Sequence, residues 1–525
     1  MKYNRRLSLI VGSNLEDTQQ RENSTAQPNF LANICTQISL LMALLVGVTS
    51  AKQPNIVFLM TDDQRCDTIG CYGRPEFKTE TIDHLASQGV VFDNAYHAVA
   101  ICKPSRATVM TGRYLASHQC GFVYPFDRVI PAKEFGDSYH AILKKAGYRS
   151  GFIGKFGFTV EGNHNTLRQS FDYYDAGGRW AEDMSRFEKI YYEGRPKNER
   201  TIMKGDSMVN FLETQPKGQP FVLSISFDAV KNDKNDDIYP ADHAAFQETE
   251  FSVPKNWSEG ANEKLPLVVK KNARGIPLHK HYCDTPEKYQ TLVKRFAAQG
   301  LTVDRQVKRL LAQLTEMGEL DNTIIIYTSD NGRFHGSHGI FDKALLYEES
   351  VKAPLIIWDG RTAEKDKGRR ENALISTTDF APTILALTGQ PIPESIQGVS
   401  LTPLLDGTAD RKAWRQSVFL ENLFIQEVFA ELVKASRTGI KPDLPKINSD
   451  IIAGNRSYRS RGVRTHRYKY FAYFEHDPVI EELYDLETDP DEMHNLSESA
   501  DHQEILQQLR AQTESYTAEF SLATQ

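Results

Sequence analysis

The chain has 525 residues, a formal net charge of −7 and 40% hydrophobic residues. The acidic balance speaks against a nucleic-acid binder, and the apolar fraction is that of an ordinary globular protein. The length exceeds one average domain but suits a large α/β fold with insertions.

Residues 38–51, ISLLMALLVGVTSA, form a long apolar run that ends in small residues. The run is short for a membrane span, so no stable membrane insertion is expected. It reads as the core of a signal peptide cleaved near Ala51, which makes 1–51 a leader and the protein exported: periplasmic, secreted or cell-surface. The basic cluster KYNRR at 2–6 lies unusually far upstream of that core. Of the six cysteines, Cys35 falls in the leader. Cys66, Cys71, Cys102, Cys120 and Cys283 remain, an odd number, and Cys102 is the candidate for the one outside any disulfide.

NIVFLM (55–60) predicts a strand followed by the acidic turn Thr61-Asp62-Asp63. TIDHLASQGV (81–90) and SYHAILKKAG (138–147) have helical spacing with a glycine stop, and YRSGFIG follows as a strand. FVLSISF (221–227) is a further strand. The stretch 228–285 is rich in Asn, Asp, Lys and Pro and reads as a long surface insertion. A long helix covers 286–318, followed by strands TIIIYTS (323–329) and APLIIW (353–358) and the helix DFAPTILALTG (379–389). Apolar strands without polar alternation, spaced by helices, predict an α/β fold with a large, mostly parallel sheet covered on both faces. From about 415 the texture changes. RTHRYKYFAYFEHD (464–477) predicts an antiparallel hairpin and DHQEILQQLRAQTESYTAEF (501–520) a closing helix. A catalytic domain at 52–414 and a smaller C-terminal α+β subdomain at 415–525 are therefore expected.

In parallel sheets ligands gather beyond the carboxyl ends of the strands. Asp62 and Asp63 follow the first strand, Lys155 follows SGFIG, Asp228 and Lys231 follow FVLSISF, and Asp330 and Asn331 follow TIIIYTS. Asp62, Asp63, Asp330 and Asn331, three acids and an amide at the ends of two strands, make a hard-oxygen site suited to Ca²⁺ or Mg²⁺. The lysines suit an anionic substrate. Cys102 precedes a helix whose first turn contains Pro104, where free N–H groups stabilise an anion.

CKPSRATVMTGRY (102–114) resembles the signature of the sulfatase family, C-x-P-S-R followed by four residues and T-G-R. NIVFLMTDDQRCDTIGCYG, GYRSGFIGK, SDNG, HGIFDK and ELYDLETDPDEMHNL resemble further segments of that family, in its order, across about 54–520. The resemblance implies the alkaline phosphatase-like fold and hydrolysis of a sulfate ester. It implies that the formylglycine-generating enzyme oxidises Cys102 to formylglycine, whose hydrate attacks sulfur. A plain serine would retain the sulfate, whereas the second hydroxyl of the hydrate expels it. By position, Asp62, Asp63, Asp330 and Asn331 match the metal ligands, with modified Cys102 completing the site. One Ca²⁺ per chain is implied, with Mg²⁺ the lesser candidate. Arg106 matches the residue that orients the formylglycine, and Lys155 and Lys343 match sulfate-binding lysines.

Two family histidines are missing. Gly157 stands at one position, in GKFGFT, and Lys231 at the other. Lys231, with its pKa lowered by neighbouring positive charges, becomes a candidate acid for the leaving alcohol. His338, in HGSHG, is a second polar candidate. The polar insertion and the aromatic hairpin YKYFAYF suggest a sugar subsite and hence a sulfated carbohydrate substrate. Two alternatives stay open: a formylglycine-dependent phosphodiesterase or phosphonate monoester hydrolase, and a catalytically silent glycan-binding homologue.

Overall fold

Eight strands build the main sheet of the computed structural model. They are β1 (Asn55–Thr61), β2 (Val90–Phe92), β3 (Arg149–Gly154), β4 (Tyr173–Asp175), β5 (Phe221–Ser226), β6 (Thr323–Ser329), β7 (Leu355–Asp359) and β8 (Arg369–Glu371). Their spatial order is β8-β2-β7-β6-β1-β5-β3-β4. β1 runs parallel to both β5 and β6, and β3 runs parallel to β5 and β4. Only β7 is antiparallel to its neighbours β6 and β2, so the sheet is mostly parallel, as expected. The structure describes residues 52–176, 197–231, 238–257, 260–363 and 367–522. The expected leader at 1–51, with its expected signal-peptide core and Cys35, lies outside them.

Every residue of β1 is buried. Its side chains alternate across the sheet, as the period of two requires. Ile56, Phe58 and Met60 join a core with the helices α2 (Cys102–Thr111), α3 (Tyr139–Lys145) and α6 (Phe380–Leu387). Val57 and Leu59 join the opposite core with α1 (Glu80–Gln88), α4 (Arg200–Glu213) and α5 (Pro286–Glu316). Burial on both faces is why the strand sequences show no polar alternation. α5 begins at a side-chain cap, Thr285, whose hydroxyl accepts from Lys288 N, and Pro286 opens its first turn.

The C-terminal region forms a four-stranded antiparallel sheet of β9 (Ser417–Asn422), β10 (Ser460–Thr465), β11 (Tyr468–Tyr473) and β12 (Ile480–Asp485), paired in sequence order. One face, with Phe419, Val463, Tyr470 and Leu483, packs on α7 (Gln503–Leu522). The other, with Val418, Leu420, Phe471, Tyr473 and Tyr484, packs on Phe334, Leu345 and Tyr347. Tyr470, Phe471 and Tyr473 are at most 1% exposed. Their rings are therefore core, and the expectation that they line a sugar subsite is corrected.

Two further expectations change. The stretch 228–285 is not simply a surface excursion. Its described part contains short helices at Pro240–Ala244, Leu267–Asn272 and Gly275–Tyr282, and buries Phe246, Phe251, Val269 and Cys283. Anchors this widely spaced leave no periodicity in a polar sequence. The five cysteines from Cys66 onward are all free thiols, so the odd count reflects no disulfide framework.

The buried anchors of this segment should carry stability. Phe246 is fully buried, so Phe246→Ala should cost about 3–5 kcal/mol. Urea unfolding would show it as a lowered midpoint, and an unchanged midpoint would restore the reading of a peripheral loop.

Candidate active site

The carboxyl ends of β1 and β6 are locked side by side, with Thr61 opposite Ser329. Asp330 N donates to Thr61 O at 2.9 Å, and Asp63 N donates to the Asp330 carboxylate at 3.1 Å. Asp63 adopts φ 62°, a left-handed conformation that Asp tolerates better than most residues. The turn throws Asp62, Asp63, Asp330 and Asn331 into one buried cluster, each at most 1% exposed. β5 delivers Lys231 and β3 delivers Lys155 to the same edge. α2 begins at Cys102, after Ile101 in an extended conformation, so the thiol sits in the first turn of the helix.

Cys102 Sγ lies 3.3 Å from Asp62 Oδ1, 2.7 Å from Lys343 Nζ and 3.5 Å from Lys231 Nζ. Lys155 pairs with Asp62, and Lys343 pairs with Asp63. Lys343 also donates to Asn331 Oδ1 at 3.2 Å. Asn331 Nδ2 donates to Asp63 Oδ1 at 2.7 Å. The Arg106 guanidinium spans Asp330, at 2.7 and 2.8 Å, and the carbonyl of Lys155, at 2.7 Å.

These charges set the protonation states. Burial alone would raise the Asp62 carboxyl, but Lys155 and Lys231 overcome it and bring the pKa down to about 2. Asp63 is held well below the carboxylate range against its own burial, chiefly by Lys343. Burial, reinforced by Asp330 and Asp62, raises the Cys102 thiol, so the unmodified residue is not a ready thiolate. The donor atoms of Asp62, Asp63, Cys102 and Asp330 lie within 4.8 Å of one another. With the Asn331 amide they form a compact, mainly oxygen donor set of high negative charge, which fits Ca²⁺.

Lys231 reaches the cluster, 3.7 Å from Asp62 Oδ1. The chain's own groups push its pKa up rather than down. Burial does lower it, but Asp62, Cys102, Asp63 and Asp330 more than compensate and hold the ammonium well above its ordinary range. The carboxylates at this strand edge outweigh the lysines that sequence reasoning set against it.

His338 is not in this constellation. It is buried at 2% exposure, its Nε2 lies 3.4 Å from Glu349 Oε2, and its ring lies tilted against Tyr347, with centroids 4.6 Å apart. The expectation of a polar loop histidine beside Lys343 is corrected: the loop folds the ring inward, under the C-terminal sheet.

Gly157 has a physical reason to lack a side chain. Its φ is +86°, and a Cβ there would meet Arg106 Cδ at 2.4 Å. Arg106 fills the space beside the position where the family carries a histidine.

Two residues escaped the sequence reading. Arg333 is 2% exposed and binds Asp63 Oδ2 at 2.6 Å. Its signal was its place two residues beyond Asn331 in the same strand-end turn. His97 is fully buried, with Nε2 3.4 Å from Ser329 Oγ, and burial drives its pKa down to about 3. It is thus a neutral imidazole behind the acid cluster. Nothing in AYHAVA distinguished it from a core residue.

The sulfatase family model matches residues 54–390, and the model of the C-terminal region of N-sulphoglucosamine sulphohydrolase matches 452–519. The N-acetylglucosamine-6-O-sulfatase of Bacteroides thetaiotaomicron is 29% identical over 88% of this chain and 86% of its own length. The human N-acetylglucosamine-6-sulfatase is 26% identical over 89% of this chain and 86% of its own length. A solved structure in complex with its substrate D-glucosamine-2-N,6-O-disulfate superposes with a TM-score of 0.67 at 27% identity, covering 89% of this chain and 98% of that one. The phosphonate monoester hydrolase of Agrobacterium radiobacter shares the fold, with a TM-score of 0.66 at 21% identity and coverage of 89% and 96%. With its metal-type acid cluster at the strand ends and its cysteine opening a helix against them, the chain belongs to the sulfatase family, hydrolases of sulfate esters.

Proposed function

We propose that the protein removes sulfate from a sulfated amino sugar of a glycosaminoglycan-type carbohydrate, using formylglycine at position 102. The observation that carries this reading is the contact of Cys102 Sγ with Asp62 at 3.3 Å and Lys343 at 2.7 Å, at the start of a helix. Sγ here stands for an oxygen of the formylglycine hydrate. The amino-sugar preference is supported by the two relatives that are N-acetylglucosamine sulfatases and by the glucosamine disulfate held in the similar solved structure. Export, maturation by the formylglycine-generating enzyme and one bound Ca²⁺ belong to the same proposal.

The steps use the chain's own groups. Water adds to the aldehyde of residue 102 to give a geminal diol. One hydroxyl loses its proton, and its oxygen forms a bond to sulfur while the sulfur–ester oxygen bond breaks. The electron pair leaves with the alcohol, which gains a proton. The second hydroxyl then loses its proton, the carbonyl re-forms, and the carbon–oxygen bond to sulfate breaks. Lys155, Lys231 and Lys343 bind sulfate oxygens and offset the charge that develops on them, contributions typically of about 3–4 kcal/mol each. Arg106 holds Asp330 and the Lys155 backbone, so it orients both the acid cluster and a sulfate-binding lysine. A calcium ion held by Asp62, Asp63, Asp330 and Asn331 would supply positive charge beside the attacking hydroxyl.

Three outcomes are expected. Protein matured with the formylglycine-generating enzyme should give a tryptic peptide lighter by about 18 Da at Cys102. Cys102→Ala should lower turnover by about a thousandfold or more with the fold intact. Sulfatase activity surviving in that variant would exclude the covalent route. Asp330→Asn should lose calcium, read as metal content per chain, together with activity. A variant that keeps stoichiometric calcium would remove Asp330 from the ligand set.

The surrounding acids favour the Lys231 ammonium, which supports sulfate binding as its role. Lys231→Ala should therefore be impaired by a similar factor on a glucosamine 6-sulfate and on an activated nitrophenyl sulfate. A loss confined to the sugar substrate, whose alcohol is a poor leaving group, would make Lys231 the acid instead. Faster turnover of phosphonate monoesters than of sulfate esters would favour the hydrolase alternative. No turnover of either by fully modified protein would favour a silent binder.

A further inference from the structure

A carboxylate that no step of the proposed reaction uses stands between two of the sulfate-binding lysines. β3 and β5 end in register, Gly154 opposite Ser226, and Lys155 N donates to Ser226 O at 3.0 Å. Lys155 leaves the end of β3, and the segment 227–231 leaves the end of β5. That segment is clamped to the acid cluster. Asp62 N donates to Ala229 O at 2.8 Å, and Val230 N donates to Asp62 O at 2.9 Å. Asp228 opens the turn that carries Lys231, and its backbone O accepts from Lys231 N at 3.2 Å. The backbone therefore fixes Asp228 at the edge of the site.

Its side chain is held through one oxygen. Lys204 on α4, with its side chain 3% exposed, donates to Asp228 Oδ2 at 2.6 Å. The lysine reaches it past Gly154, where a Cβ would meet Lys204 Cε at 2.8 Å. Asp228 Oδ1 accepts from no group among the described residues, and the side chain is 31% exposed. Burial alone would raise the Asp228 carboxyl, but Lys204, and then Lys155, hold it below its ordinary range. An anion here cannot bind the sulfate that Lys155, Lys231 and Lys343 gather, because like charges repel. Its open oxygen can accept only from the part of the substrate to which the sulfate is attached.

We propose that Asp228 is a specificity-determining residue: its Oδ1 accepts a hydrogen bond from an N–H or O–H of the sugar and disfavours a second sulfate beside the scissile one. This inference rests on the reading of the substrate as a sulfated amino sugar. The nitrogen of such a sugar occurs as an ammonium, a neutral acetamide or an anionic N-sulfate. The ammonium gains a charge-assisted hydrogen bond to the carboxylate. The N-sulfate brings a like charge to it, so Asp228 selects by repulsion as well as by attraction. Lys204 is a positioning residue, acting on the sugar only through Asp228.

The test compares kcat/KM of the fully modified protein on three substrates. They are glucosamine 6-sulfate, at a pH where its amine is protonated, N-acetylglucosamine 6-sulfate and glucosamine 2-N,6-O-disulfate. The values should fall in that order. Asp228→Asn should narrow the ratio between the first and the last by about tenfold or more, and Asp228→Glu should preserve the order. Asp228→Asn alone leaves Lys204 buried without its anion. The double variant Asp228→Asn with Lys204→Met removes both charges and should narrow the ratio to a similar extent. An unchanged ratio, or an equal loss on all three substrates, would overturn the role and leave Asp228 and Lys204 as a structural ion pair. No turnover of any of the three by the modified wild-type protein would instead overturn the amino-sugar reading, and this inference with it.

Discussion

Three aspartates buried at the ends of two neighbouring parallel strands are the constraint that organises this protein. A carboxylate removed from water costs several kcal/mol unless opposite charge meets it. The sheet brings Asp62, Asp63 and Asp330 to one point, and Lys155, Lys343, Arg106 and Arg333 converge there from elsewhere in the chain. Lys155 follows β3, Arg106 lies on α2, and Arg333 and Lys343 lie on the loop beyond β6, so the cluster cross-links β1, β3, β6, α2 and that loop. Removing one acid therefore strands at least one buried cation as well as altering the chemistry.

The same convergence explains how a sulfate ester is handled. A sulfate monoester brings negative charge to a site already rich in carboxylates, so binding requires opposite charge beside them. Lys231 and Lys343 hold their ammonium groups within 3.5 Å of the thiol. Lys231 reaches that point because it follows directly from β5, the strand beside β1.

The core sheet and the acid cluster were legible because both depend on local pattern. Runs such as NIVFLM and TIIIYTS carry no polar alternation, and the residues that follow them are Asp, Asp, Asp and Asn. The parts that were not legible depend on which groups meet in space. The ionisation of Lys231 is decided by four acidic groups from three segments. The burial of His338 is decided by a sheet that begins at Ser417. YKYFAYF offers aromatic rings that could face solvent or a core, and only the two packed faces of β11 resolve it. Phe246 and Phe251 sit in a polar stretch where isolated anchors leave no period to detect.

The contact between Gly157 and Arg106 also shapes the paths open to the sequence. With a Cβ at 157 only 2.4 Å from Arg106 Cδ, the two positions cannot vary independently. A histidine at 157 becomes admissible only after Arg106 has taken another rotamer, and Arg106 is held by Asp330 and by the carbonyl of Lys155. Any side chain at 157 thus acts on the acid cluster through the guanidinium. A larger residue at 157 therefore calls for a coordinated replacement around the guanidinium.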